Sequence, residues 1–199
     1  MISTQLLFES TNNLVDLKNY NFILDYSEVK HFNPKNPKIL LNKKAAFSLI
    51  KAKNMLPSNY NFIITYGYRS YKEQVLINEY MKNKLKKSNP HNWEDLLDTY
   101  TGGDDYLEYL RTHKGTLSHM SHNSGNAVDI TGIIDNRGKS LDMGGQTNTV
   151  KDRLDYYERL NLSSKETRIK DNRRLLKDVL IKNNFDNYKD EWWHWGYNK

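Results

Sequence analysis

No cysteine occurs in the 199 residues. Disulfides and thiolate ligands are therefore excluded, and any bound metal must be held by histidine and carboxylate side chains. A cysteine-free chain is stable in either redox environment, so this absence leaves the compartment open. Also missing is a basic region followed by a long apolar stretch at the N-terminus, where the chain reads Met1-Ile-Ser-Thr-Gln-Leu-Leu-Phe-Glu. Neither a signal peptide nor a transmembrane helix is expected there. The expected location is cytoplasmic, or periplasmic or extracellular if a leader has been removed. Internal repeats and low-complexity linkers are absent too, which points away from a solenoid or an array.

Hydrophobic residues make up only 37% of the chain, but fourteen Tyr and four Trp supply large packing units, too many for a solvated tail. A chain of this length buries about 70% of its unfolded surface, enough for one core without a second domain. The formal charge is +6. The lysines behind it are scattered among Asn and Asp and form no stripe, so neither nucleic acid nor a membrane is an expected partner. The run Lys82–Lys87 reads as the exposed end of a helix.

Residues 1–38 look irregular, with a strand-like piece at Phe22-Ile23-Leu24 and prolines at 34 and 37. From Ile39 to Leu56, Leu41, Ala45, Leu49, Ala52 and Leu56 recur at helical spacing and predict an amphipathic helix ended by Pro57-Ser58-Asn59. Asn61–Tyr66 reads as a buried strand, and Ser70 is placed to cap a helix from Tyr71 to about Lys86. Residues 88–117 contain Pro90, Gly102, Gly103 and Gly115, with a helical piece around 104–113. Val128–Thr131 reads as a strand, 132–150 as loop-rich, 164–184 as a helix and Glu191–Trp195 as the last strand. The fold class is α+β, a single compact domain over residues 1–199, with a small central antiparallel sheet flanked by helices and the metal site at the sheet.

Two clusters carry the chemistry. His122 and Asp129 lie seven apart with Gly125 between them, and a glycine there permits a tight bend from which both side chains could converge. Glu191 and His194 lie three apart in Glu191-Trp192-Trp193-His194-Trp195. Together these are two imidazoles, one carboxylate ligand and one spare carboxylate, the inventory of a catalytic zinc site with three protein ligands and an open position. In an extended segment, residues three apart point to opposite faces, so a twist or bulge is required if Glu191 and His194 share a metal. Glu191 then serves as general base, or alternatively as a fourth ligand in a closed structural site. His119 and His113 are rival ligands to His122, which is preferred. Arg69, between a buried strand and a helix, either makes a surface ion pair or aims its guanidinium into a pocket to steady an oxyanion.

The motifs Gly67-Tyr68-Arg69-Ser70, Ser121-His122-Asn123-Ser124-Gly125-Asn126-Ala127-Val128-Asp129, Leu141-Asp142-Met143-Gly144, Asn172-Arg173-Arg174-Leu175-Leu176 and Glu191-Trp192-Trp193-His194 resemble those of D-alanyl-D-alanine dipeptidases. These are enzymes of the VanX-like kind, within the zinc D,D-peptidase family that includes VanY-type carboxypeptidases. The resemblance runs from about Ala45 to the end, with a weaker echo at Leu24-Asp25-Tyr26. It implies one zinc per chain on His122, Asp129 and His194, Glu191 as catalytic base and Arg69 as transition-state stabiliser. It also implies Asp142 on the substrate ammonium, a charge-assisted hydrogen bond, with Tyr26 as a further substrate contact. Met120 departs from the family, which usually has serine there, so the substrate-binding hydroxyl is lost or comes from Ser118 or Ser121. The Phe-Asp pair common after Met143-Gly144 is also missing. The expected substrate is the D,D-dipeptide. Alternatives are a carboxypeptidase or endopeptidase acting on cell-wall stem peptides, and a non-catalytic wall-recognition or regulatory module that binds zinc.

Overall fold

The computed structural model describes residues 13–113, 117–147 and 149–198. The first twelve residues of the expected irregular segment, and Gly115, lie outside them. In chain order the strands are β1 (Leu14–Asp16), β2 (Ile23–Leu24), β3 (Leu40–Asn42), β4 (Tyr60–Tyr66), β5 (Ala127–Asp135), β6 (Phe185–Asn187) and β7 (His194–Tyr197). The helices are α1 (Ser27–Phe32), α2 (Lys43–Asn54), α3 (Tyr71–Ser88), α4 (Trp93–Thr101), α5 (Gly103–Thr112) and α6 (Ser164–Ile181).

Five strands form the main sheet in the order β2-β4-β5-β7-β6. The pairs β4–β5, β5–β7 and β6–β7 are antiparallel, as expected, but the edge strand β2 runs parallel to β4, so the sheet is mixed. A parallel neighbour needs a long crossover, and the chain provides one through α1, β3 and α2. The helix expected from Ile39 also starts later. Leu40–Asn42 instead pair antiparallel with β1, Leu41 opposite Val15, and the Asn42 side chain caps α2 by accepting from the Lys44 N–H at 3.0 Å. Leu41 is buried either way, so its spacing fits both structures.

Several elements follow their sequence signals closely. Ser70 caps α3 in a reciprocal box with Glu73, and Ser163 does the same with Glu166 for α6, each satisfying amide groups that a helix start leaves free. α2 turns Ala45, Leu49 and Ala52 inward and packs along α6, whose Leu176, Val179 and Leu180 share the same core. Each such leucine contributes about 1.5–3 kcal/mol by leaving water. β5 extends to Asp135, further than its sequence signal, because pairing with β4 continues past Gly132. The segment before the site holds two helices, α4 and α5, broken at Gly102. No helix among the described residues is long and apolar enough to cross a membrane.

Candidate metal centre and active-site cleft

Three neighbouring strands bring the two sequence clusters together. In the sheet register Asp129 of β5 stands opposite His194 of β7 on one side and Tyr66 of β4 on the other. His122 comes from a 3-10 turn (His122–Ser124) just ahead of β5. Gly125 closes that turn at φ 75°, and a Cβ there would lie 2.8 Å from the Leu14 side chain. A left-handed residue without a side chain is needed at this point.

Each imidazole has one nitrogen anchored to the backbone. His122 Nδ1 lies 2.8 Å from the Gly67 carbonyl oxygen, and His194 Nε2 lies 2.7 Å from that of Met120. A carbonyl only accepts, so these nitrogens carry the protons and donate. The opposite nitrogens face Asp129: His122 Nε2 is 3.2 Å from Oδ2 and His194 Nδ1 is 3.0 Å from Oδ1. The rings stand nearly perpendicular, at 84°, with centroids 4.7 Å apart.

Neutral imidazoles held this way aim lone pairs at a carboxylate, an arrangement that is favourable only with a positive charge between them. The buried cluster responds accordingly. Burial pulls the His194 imidazole down, but its bonds to Asp129, with Glu191 behind, outweigh that and raise its pKa. His122 is lowered, by burial first and then by Arg69 and His194, against the pull of Asp129. Burial works against ionised Asp129, yet the two imidazoles hold it well below the usual carboxylate range. Two nitrogens and one oxygen, all within 4.8 Å of one another, make a donor set that fits a zinc-type ion.

Glu191 reaches this centre through a turn rather than a strand. The expected strand at 191–195 is corrected: β7 starts at His194, and Glu191–His194 form a tight turn in which the His194 N–H donates to the Glu191 carbonyl at 3.1 Å. A turn puts its first and fourth residues side by side, which answers the opposite-face difficulty of an extended chain. Glu191 Oε2 accordingly lies 4.0 Å from His194 Nδ1. The Asn187 side chain braces the turn from β6, donating from Nδ2 to the carbonyls of Glu191 at 2.9 Å and His194 at 3.0 Å. Behind it, Trp192 Nε1 donates to the Gly145 carbonyl, and fully buried Arg173 of α6 donates to the carbonyls of Met143, Lys151 and Arg153. The Arg173 guanidinium also sits 5.0 Å from the Trp192 ring. Burial, with the Asp129 charge next, raises the Glu191 carboxyl to about 7, against His194 and Arg69.

A cleft of about 500 Å³ opens over these residues. Arg69 lines it, with its guanidinium stacked 4.7 Å over the Tyr66 ring and Nη1 donating to Gln74 Oε1 at 3.0 Å. Its main chain is tied to the His122 turn: the Arg69 N–H donates to the His122 carbonyl, and Asn123 Nδ2 donates to the Arg69 carbonyl. Arg69 Nε is buried without a partner among the described residues. Ser121 and Ser118 line the cleft as well. The Ser121 hydroxyl is engaged by the Tyr106 hydroxyl at 2.5 Å and accepts from the Asn123 N–H.

Two expected substrate contacts are not among the cleft-lining residues. Asp142 is exposed, accepts from the Gly144 N–H at 2.9 Å and lies 4.0 Å from Lys165. Its loop is turned toward α6, where Asn172 Nδ2 holds the Asp142 carbonyl at 2.8 Å. Tyr26 is half-buried against the hydrophobic core at the start of α1. The rival histidines are elsewhere, His119 paired with Asp186 at 3.0 Å and His113 stacked on Tyr109. Sequence reasoning missed Tyr106, Gln74 and Asn187. Tyr106 reaches Ser121 and Asn123 across fifteen and seventeen residues, whereas Gln74 and Asn187 act within seven residues, on Arg69 and on the Glu191–His194 turn, through side-chain amides that carry no motif signal.

The family model for D-ala-D-ala dipeptidases (Peptidase_M15) matches residues 25–199, a span that contains every residue of this centre. No curated protein matches the chain.

Proposed function

Since the chain belongs to this D-ala-D-ala dipeptidase family of peptidases, we propose that it is a zinc-dependent hydrolase of D-alanyl-D-alanine. The carrying observation is that both imidazole protons are committed to backbone carbonyls, leaving two nitrogens and Asp129 converging beside Glu191. His122, Asp129 and His194 would hold a zinc ion, which would supply Lewis acidity and lower the pKa of a water molecule to around 7.

Glu191 supplies the proton traffic. Half-buried and raised to about 7, its carboxylate takes the proton of the attacking water and delivers it to the leaving amine nitrogen as the peptide C–N bond breaks. Arg69, pinned by its stacking on Tyr66 and its bond to Gln74, presents fixed positive charge to the carbonyl oxygen as that atom becomes anionic. The retained base and arginine argue against a pure binding module, which has no use for a proton shuttle.

Amine release from D-Ala-D-Ala, L-Ala-L-Ala and a stem pentapeptide, with zinc-loaded and chelated protein, tests this reading. The expected result is metal-dependent cleavage of the D,D-dipeptide. The E191Q variant is expected to keep its metal while kcat falls about 10²-fold or more. Full activity in E191Q would refute the proton role, and an uncleaved D,D-dipeptide would refute the substrate. A second reading, a carboxypeptidase or endopeptidase acting on stem peptides, is favoured by one observation: Asp142 is not among the cleft-lining residues. Cleavage of the pentapeptide alone would select it.

A further inference from the structure

The cleft carries a carboxylate that the proposed reaction does not use. Asp98, in the last turn of α4, lines the same cavity as Arg69, Glu191 and the two histidines. Asp98 is exposed, and its carboxylate has no hydrogen bond or ion pair among the described residues, whereas Asp104 nearby is paired with Lys82 at 3.1 Å. The backbone also makes room for it. Gly103 has φ 61°, and a Cβ there would fall 1.8 Å from Asp98 Oδ1, so any side chain at 103 would evict the carboxylate from its seat.

The wall holding Asp98 is tied to the catalytic side. Gln74, which receives the Arg69 guanidinium, donates from Nε2 to the Thr101 carbonyl at the end of α4 at 3.3 Å and to Asn78 Oδ1. Asn78 Nδ2 in turn donates to the Gly103 carbonyl at 2.6 Å. Arg69 and the seat of Asp98 are thus linked by one buried amide pair. An exposed, unpaired carboxylate lining the cleft is complementary to a cation, and the amino group of a peptide is the cation such a substrate brings.

We propose that Asp98 is a specificity-determining residue that holds a primary ammonium group of the substrate. This rests on the peptidase reading above, and the ammonium has two sources: the free α-amino group of a dipeptide, or the side-chain amine of a longer stem peptide. Calorimetric binding to zinc-loaded E191Q and E191Q/D98N, neither of which is required to turn over, separates this idea from the catalytic one. The ligands are D-Ala-D-Ala, its N-acetyl derivative, a lysine-containing stem pentapeptide and the same pentapeptide with acetylated lysine.

D98N is expected to weaken binding of the ammonium-bearing ligand about tenfold, the low end for a hydrogen bond to a charged group at an accessible site. Binding of the acetylated counterpart should be unchanged. Loss confined to the dipeptide pair assigns the α-amino group, and loss confined to the pentapeptide pair assigns the side chain. Equal affinities of the two proteins for every ammonium-bearing ligand, or no binding of any of them, overturns the proposal. If D-Ala-D-Ala binds in an Asp98-dependent way but unmutated protein does not cleave it, the dipeptidase reading fails while this one stands. Thermal melts of D98N and G103A serve as the folding control, and G103A should weaken the same ligand as D98N.

Discussion

Replacing Asn187 with alanine tests how Glu191 and His194, the proposed general base and metal ligand, are held in register. The Asn187 amide donates to the carbonyls at both ends of the Glu191–His194 turn, at 2.9 and 3.0 Å. Each carbonyl keeps one other partner, the His194 N–H on Glu191 and the Tyr188 N–H on His194. The variant therefore loses two hydrogen bonds without orphaning either oxygen, a cost of about 1–3 kcal/mol at roughly 0.5–1.5 each. Asn187 Oδ1 is buried and unpartnered among the described residues, and removing it offsets part of that loss, so the lower half of the range is expected. In a chain of this length that lowers Tm by about 2–8 °C, at roughly 2–4 °C per kcal/mol. Function should suffer more than stability, because a displacement on the order of 1 Å in a catalytic group can cost about 10²-fold in rate. Zinc affinity should fall about 10- to 100-fold, as when other supports of metal ligands are removed. Thermal melts, a zinc-competition titration and kcat on D-Ala-D-Ala read the three effects. Asn187→Asp should be no better than alanine, since a carboxylate cannot donate to two carbonyls. An N187A protein with unchanged zinc affinity and kcat within twofold would show that the turn holds itself and that the reasoning is wrong.

Two further perturbations follow from the same geometry. The Glu191 carboxyl is raised to about 7 from an ordinary 4.5, by burial first and Asp129 next. The folded metal-free protein therefore binds a proton that the unfolded chain has already lost between those values. Stability from this group is present below about pH 4.5 and declines as pH rises toward 7. The Tm of chelated protein should therefore fall across that window relative to E191Q, and parallel curves for the two proteins would contradict the assignment. Arg173→Met removes a buried guanidinium that donates to three carbonyls of the 143–153 loop. It should destabilise the fold by about 2 kcal/mol, because three carbonyls, in one buried and two part-buried hydrogen bonds, are left short of a partner. A denaturant melt checks this, and a variant as stable as the parent would mean that the loop is held by other contacts.

The group that could hold a metal was legible because its chemistry is local in sequence: His122 and Asp129 flank one glycine bend, and His194 sits in a run of tryptophans. The helix α3 and its cap at Ser70 were readable for the same reason, since periodicity and capping act within one or two turns. The start of α2 was not. Leu41 satisfies a helical spacing and a strand pairing equally well, and β1 decided between them. The strand at Glu191–Trp195 was misplaced because aromatic residues favour strands whether they lie in the strand or in the turn before it. That error had a consequence, for only a turn places Glu191 beside His194.

The substrate side of the cleft was the least readable. Asp142 carried a family signal but lies in a loop bound to α6, and Asp98 carried none but faces the cavity. By itself the sequence determined the donor types, the peptidase family and the His122, Asp129 and His194 set that could hold a metal, because those depend on side-chain chemistry and short spacing. The tertiary structure alone decided the tautomers set by Gly67 and Met120, the pairing of Asp129 between β4 and β7, and which carboxylate looks into the cleft. Each of these depends on hydrogen bonds and packing between segments up to seventy or so residues apart, and no local pattern encodes such contacts.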